Sequence, residues 1–162
     1  MLNASVLDQY PGVDTDAVQA LLEEKCRQDR HKIIVLDDDP TGVQTVHDVS
    51  VYTDWSYDSI KKGFEEDGKL FYILTNSRGF TVEQTTRAHL EIGETAAKVS
   101  EETGIDYVIV SRGDSTLRGH YPLETELLAR AEEKHRGRAV DGEIICLLYT
   151  SDAADEARSG DL

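Results

Sequence analysis

Short apolar runs alternate along this chain with longer stretches in which apolar residues return every three or four positions. The runs Ile33–Leu36, Leu70–Leu74 and Tyr107–Val110 are nearly continuous rather than alternating. A strand that is apolar on both sides is one buried on both faces, the habit of parallel sheets. Residues 48–53 (DVSVYT) alternate and predict a further strand, and Glu143–Ile145 looks like the start of another. Helical segments fall between them. Val18, Leu21, Leu22 and Cys26 sit at helical spacing within residues 14–30, which predicts an amphipathic helix with Cys26 on its buried side. Residues 56–66 predict a short helix. Thr81–Gln84 (TVEQ) has the capping-box pattern, and the helix it opens runs to Thr103 and stops at Gly104. A last helix starts near Pro122, carries Leu123, Leu127, Leu128 and Ala131 on one face, and ends at Gly137. This order predicts an α/β fold, a mostly parallel sheet with helices on both faces in an incomplete doubly wound domain.

Ligands of such sheets bind beyond the carboxyl ends of the strands. Three strands run there into polar clusters: DDDPTG (37–42), TNSRG (75–79) and SRGDSTLRG (111–119). The carboxylates of the first can bind Mg²⁺, accept hydrogen bonds from sugar hydroxyls or act as a base. Asp, Pro and Gly are also ordinary turn residues, but adjacent acids repel one another and a turn has no need of three. In the third cluster Asp114 can orient or deprotonate a hydroxyl, Ser115 and Thr116 add hydroxyls, and Arg118 is a natural partner for a carboxylate or phosphate. TNSRG is less specific, because Asn76 and Ser77 suit a cap or turn as well as a site. The candidate site residues are therefore Asp38, Asp39, Ser77, Arg78, Asp114, Ser115, Thr116 and Arg118. No histidine pair has zinc spacing and no resident metal site is predicted. His89 is expected at a helix surface, His120 at a helix entry, and His135 near a helix C-terminus, where a cation is favourable.

Charge narrows the partners. The 162 residues hold 32 acids against 17 bases, a net charge of -15. Such a surface repels phosphodiester backbones and anionic lipid, so neither nucleic acid nor a membrane is expected as a partner. The longest apolar run, Ile144–Tyr149, is far short of the ~20 residues that a span needs. The opening MLNASVLDQYPG lacks the basic and apolar parts of a signal peptide, and Cys26 and Cys146 make no metal spacing. A reducing cytoplasmic location is the expectation.

Residues 146–156 read CLLYTSDAADE. One frame of a transposase adapter used in preparing sequencing libraries encodes the same string, and then ends Ser-Val-Asp-Leu where this chain ends Ser159-Gly160-Asp161-Leu162. Residues 146–162 are therefore expected to be a non-native tail, with native sequence visible to Ile145. Ahead of it are expected an N-terminal helical extension over 1–30 and a partial α/β domain over 31–145. Without the tail, 28 acids and 16 bases remain.

Taken together, these motifs resemble those of the four-carbon acid sugar kinases, in their N-terminal sugar-binding domain. That family's D-D-x-T-G signature is matched by Asp38–Gly42, its D-S-T-L-R-G signature by Asp114–Gly119 without a gap, and its Ser-Arg pair by Ser77-Arg78. The resemblance covers about residues 30–145, with His120 where the family usually has Asn. It implies an ATP-dependent kinase acting on threonate, erythronate or 3-oxo-tetronate. Asp114 would be the base, Asp38 would take hydroxyls, and Arg118, then Arg78, the carboxylate. The family holds ATP and its Mg²⁺ on a separate C-terminal domain. Residues 1–145 contain no G-x-x-x-x-G-K-[ST] loop, so this chain alone is expected to bind sugar without turning it over. A rival reading takes Asp37 and Asp39 as the nucleophile and acid/base of a haloacid-dehalogenase-like, Mg²⁺-dependent phosphatase. It leaves DSTLRG unexplained. A third reading is a non-catalytic sugar-acid binding module.

Overall fold

The computed structural model describes residues 12–113, 119–137 and 139–143. In chain order its strands are β1 (Lys32–Asp37), β2 (Ser50–Tyr52), β3 (Leu70–Leu74) and β4 (Tyr107–Arg112). Its α-helices are α1 (Thr15–Gln28), α2 (Tyr57–Glu65), α3 (Val82–Thr103) and α4 (Leu123–Arg136). All strand pairings are parallel, in the order β2-β3-β1-β4. The fold is α/β, as the strand and helix alternation predicts. The expected fifth strand at 143–145 falls mostly outside the described residues.

Alternation along the strands builds the core. Ile34 and Leu36 of β1, Phe71 and Ile73 of β3 and Tyr107 of β4 share one face. They pack against Ile60 and Phe64 of α2, Ile92, Ala96 and Val99 of α3, and Leu128 of α4. Phe64 meets Tyr107 edge-on, with ring centroids 5.7 Å apart. Helices α3 and α4 approach closely because residue 93 is glycine; a Cβ there would lie 2.7 Å from that of Ala131. These three helices thus share one face. On the other face Val35 and Tyr72 are buried, while Val51, Val108 and Val110 stay exposed.

Helix ends follow the local chemistry. Thr81 and Gln84 form the expected capping box, at 3.3 and 2.9 Å. Gly104 and Gly137 close α3 and α4 in the left-handed region, at φ 67° and 62°. Helix α1 forms behind an Asp14 cap, and Lys69 Nζ holds its far end through the carbonyls of Cys26 and Asp29, at 2.7 and 2.5 Å. It buries none of its residues. Cys26 is exposed, contrary to the expectation from spacing, because periodicity aligns a stripe without supplying a surface to cover it. His89 differs the other way. It is buried, its Nδ1 2.9 Å from the Thr85 carbonyl, because α3 packs between α2 and α4 and buries a wider arc than its apolar stripe.

Candidate functional site

The register of the sheet creates the site. Asp37 ends β1 directly opposite Arg112, which ends β4, so an acid and a base meet at the carboxyl edge. The Arg112 guanidinium lies 3.5 Å from the Asp37 carboxylate. Asp37 is 1% exposed, and burial pushes its carboxyl above the usual range while Arg112 pulls it back. The chain then turns. Asp39 Oδ1 accepts the Thr41 N–H at 2.7 Å and the Asp39 carbonyl accepts the Gly42 N–H at 3.1 Å. This turn lays Gly42 against Asp37 and Arg112 so closely that a Cβ at residue 42 would overlap both side chains.

The end of β3 supplies the third wall. Thr75 donates through its N–H (2.8 Å) and its Oγ1 (3.0 Å) to the Asp37 carbonyl, tying the two strand ends together. Asn76 takes a left-handed conformation at φ 52°, which Asn tolerates better than most residues, and starts the short turn Ser77–Gly79. That turn brings Arg78 back over the first cluster. Its Nε and Nη2 donate to the two Asp38 oxygens at 3.2 and 3.1 Å, and its Nη1 lies 2.8 Å from Asp39. One fork therefore gathers two carboxylates that would otherwise repel.

These groups line a cleft of about 180 Å³, formed by Asp37, Asp38, Asp39, Thr41, Gly42, Arg78, Arg112 and Gly113. Of the sequence candidates, Asp38, Asp39 and Arg78 meet here. Ser77 lies beneath the lining, buried and 2.8 Å from the Thr75 hydroxyl. Asp114, Ser115, Thr116 and Arg118 lie outside the described residues, though Arg112 and Gly113, which lead into them, are at the cleft. His120 is at the entry to α4, its Nε2 2.8 Å from the Phe80 carbonyl. Asp37, Thr41 and Arg112 were not among the candidates for an acid-sugar site. Their signal was present in the strand ends but needed the sheet order to be read.

The described residues thus form a parallel α/β sheet with carboxylates and guanidinium groups gathered at its carboxyl edge. The sugar-binding N-terminal domain model of the four-carbon acid sugar kinase family matches residues 33–148, and the chain belongs to that family. The match runs past Ile145 by three residues. No curated protein and no solved structure matches the chain.

Kinase membership implies ATP and Mg²⁺, and the described residues do not fit them. Arg78 already neutralises Asp38 and Asp39, and Arg112 faces Asp37, so guanidinium groups stand where a metal would. Among the described residues no group of three or more His, Cys, Asp or Glu side chains is arranged to hold a metal ion. The cleft is also below the ~300–1,000 Å³ of drug-sized pockets, too small for a nucleotide. Among the described residues no helix is long and apolar enough to cross a membrane.

Proposed function

We propose that this domain binds the acid sugar for an ATP-dependent kinase, the sugar being of the threonate, erythronate or 3-oxo-tetronate type. The observation that carries the reading is the pairing of Asp38 and Asp39, gathered by Arg78, with a half-exposed arginine in one small cleft. Carboxylates accept hydrogen bonds from hydroxyls and guanidinium donates to a carboxylate, so a short polyhydroxy acid satisfies both kinds of group. In this reading Arg78 organises the acids as well as lining the cleft. Asp114 is the base for the hydroxyl that is phosphorylated, Ser115 and Thr116 contribute hydroxyls, and Arg118 takes the carboxylate. The nucleotide is held by residues other than those described, and the 162-residue chain alone binds without transferring phosphate.

The phosphatase alternative lacks support. A nucleophilic Asp37 needs an open path for a phosphate ester, whereas its carboxylate is 1% exposed beneath Gly42. Calorimetric titration of the purified chain with four-carbon acids, four-carbon alcohols and hexoses tests the proposal. Binding of at least one acid, ahead of the alcohols and hexoses, is expected. A panel in which no acid binds, or in which hexoses bind more tightly, overturns it.

A further inference from the structure

We infer that Arg112 reads the anionic end of the ligand in this cleft, set in place by the buried carboxylate of Asp37. The inference rests on the acid-sugar reading and adds a residue outside the signatures on which that reading was built.

The two arginines of the cleft are differently employed. Arg78 presents three nitrogens to Asp38 and Asp39, at 2.8–3.2 Å, and its side chain is 30% exposed. Arg112 is 47% exposed, and among the described residues its ion pairing is a single Nη1 approach to Asp37 at 3.5 Å. A guanidinium carries five N–H donors in a fixed fork, so the approach to Asp37 leaves most of its donors open to a ligand in the cleft it lines. The approach to Asp37 is at the long limit of a hydrogen bond, so it occupies little of the fork.

Three features set its position. Arg112 and Asp37 are in register on neighbouring strands, so the sheet ladder sets their separation. The Gly42 backbone lies close over both side chain ends, so a Cβ there would displace them. Asp37 is too buried to turn toward solvent and so remains a fixed anchor for the guanidinium. Binding groups mounted on strands and pinned by a buried partner hold their geometry better than groups on loops.

The remaining lining says what the open fork receives. Asp38, Asp39 and Thr41 line the cleft, and the acids there disfavour an anion anywhere except at a cation. Arg78 is taken by two carboxylates, which leaves Arg112 as the described residue best placed to meet a negative end. A planar carboxylate matches the fork in a way that a hydroxymethyl group does not. Arg112 thus separates a polyhydroxy acid from the alcohol of the same carbon skeleton, alongside whatever Arg118 contributes.

The experiment titrates the wild-type chain, Arg112→Gln and Arg112→Met with threonate and with threitol, its uncharged counterpart. Thermal midpoints of each protein are recorded in parallel. Wild type is expected to prefer the acid. Loss of a charge-assisted contact lowers affinity about 10- to 150-fold, so both variants should lose at least ~10-fold for threonate while threitol binding changes by less than about 2-fold. If wild type prefers the acid and the variants keep the same acid-to-alcohol ratio, the role of Arg112 is overturned and the acid-sugar reading stands. If wild type binds neither ligand and no other four-carbon acid, the underlying reading fails. Unfolding of one variant leaves the other to decide; unfolding of both makes Arg112 a structural residue and overturns the inference.

Discussion

Strand β1 belongs to two different environments. Its Ile34 and Leu36 enter an apolar layer with Phe71, Ile73, Ile92 and Val99, all fully or almost fully buried. One residue later Asp37 is equally buried, but among charges, with Asp38 and Asp39 following and two guanidinium groups around them. In the first region every neighbour reinforces the next. In the second, acids stand next to acids, and the arrangement persists because Arg78 and Arg112 offset them. The difference is consistent with a ligand site at the charged edge, since local conflicts are expected where function outweighs stability.

The largest expected effect breaks the apolar side. Phe71 contacts Phe64 and Tyr52 and has no exposed surface, so Phe71→Ala should cost ~3–5 kcal/mol, measured by urea unfolding. Arg78→Ala comes next. Asp38, with a side chain 4% exposed, would remain beside Asp39 without that fork. The cost should be about 2–3 kcal/mol, below the ~3–5 of a fully buried pair because Arg78 is partly exposed. The same unfolding assay decides it, and an unchanged stability would mean that the acids are held by other means.

Asp37→Asn sharpens the contrast by sign. Burial raises the Asp37 carboxyl, so the folded protein holds that proton to a higher pH than the unfolded chain does. Folding then takes up a proton between the two pKa values, and stability falls as pH rises across that window, from the unfolded value near 3.8 upward. The Asn variant removes this penalty. It should be more stable than wild type at neutral pH, with the gain shrinking as pH falls through the folded pKa, in unfolding curves taken from pH 7 to pH 4. A gain that does not depend on pH would assign the effect to something other than ionisation. The smallest effect is on α1, where Leu21→Ala should change stability by no more than ~0.5 kcal/mol, because Leu21 is more than half exposed.

Much of the packed side was legible before any coordinates. Near-continuous apolar runs marked β1, β3 and β4, and Thr81, Gln84, Gly104 and Gly137 marked helix ends through backbone chemistry that acts locally. Burial was less legible, because spacing reveals which residues share a face and not how much of the helix a neighbour covers. Cys26 and His89 depart from expectation in opposite directions for that one reason. At the charged edge, DDDPTG and Ser77-Arg78 announced themselves as clusters. Arg112 lay in the third cluster without standing out, since its pairing with Asp37 spans 75 positions and exists only once β4 is placed beside β1. Whether Ser77 lines or supports the cleft likewise depended on the turn that Asn76 makes.

The central claim is that an acid sugar binds at the carboxyl edge of this sheet. Backbone amide shifts of the isotope-labelled chain, followed during titration with a four-carbon acid sugar, test it most directly. The account predicts that the largest shifts among the described residues fall on 37–39, 41–42, 77–79 and 112–113, with the strand starts at Lys32, Leu70 and Tyr107 unmoved. Shifts gathered instead at the opposite edge, or in the groove of Trp55, Tyr57 and Glu91 that opens elsewhere on the surface, would contradict it.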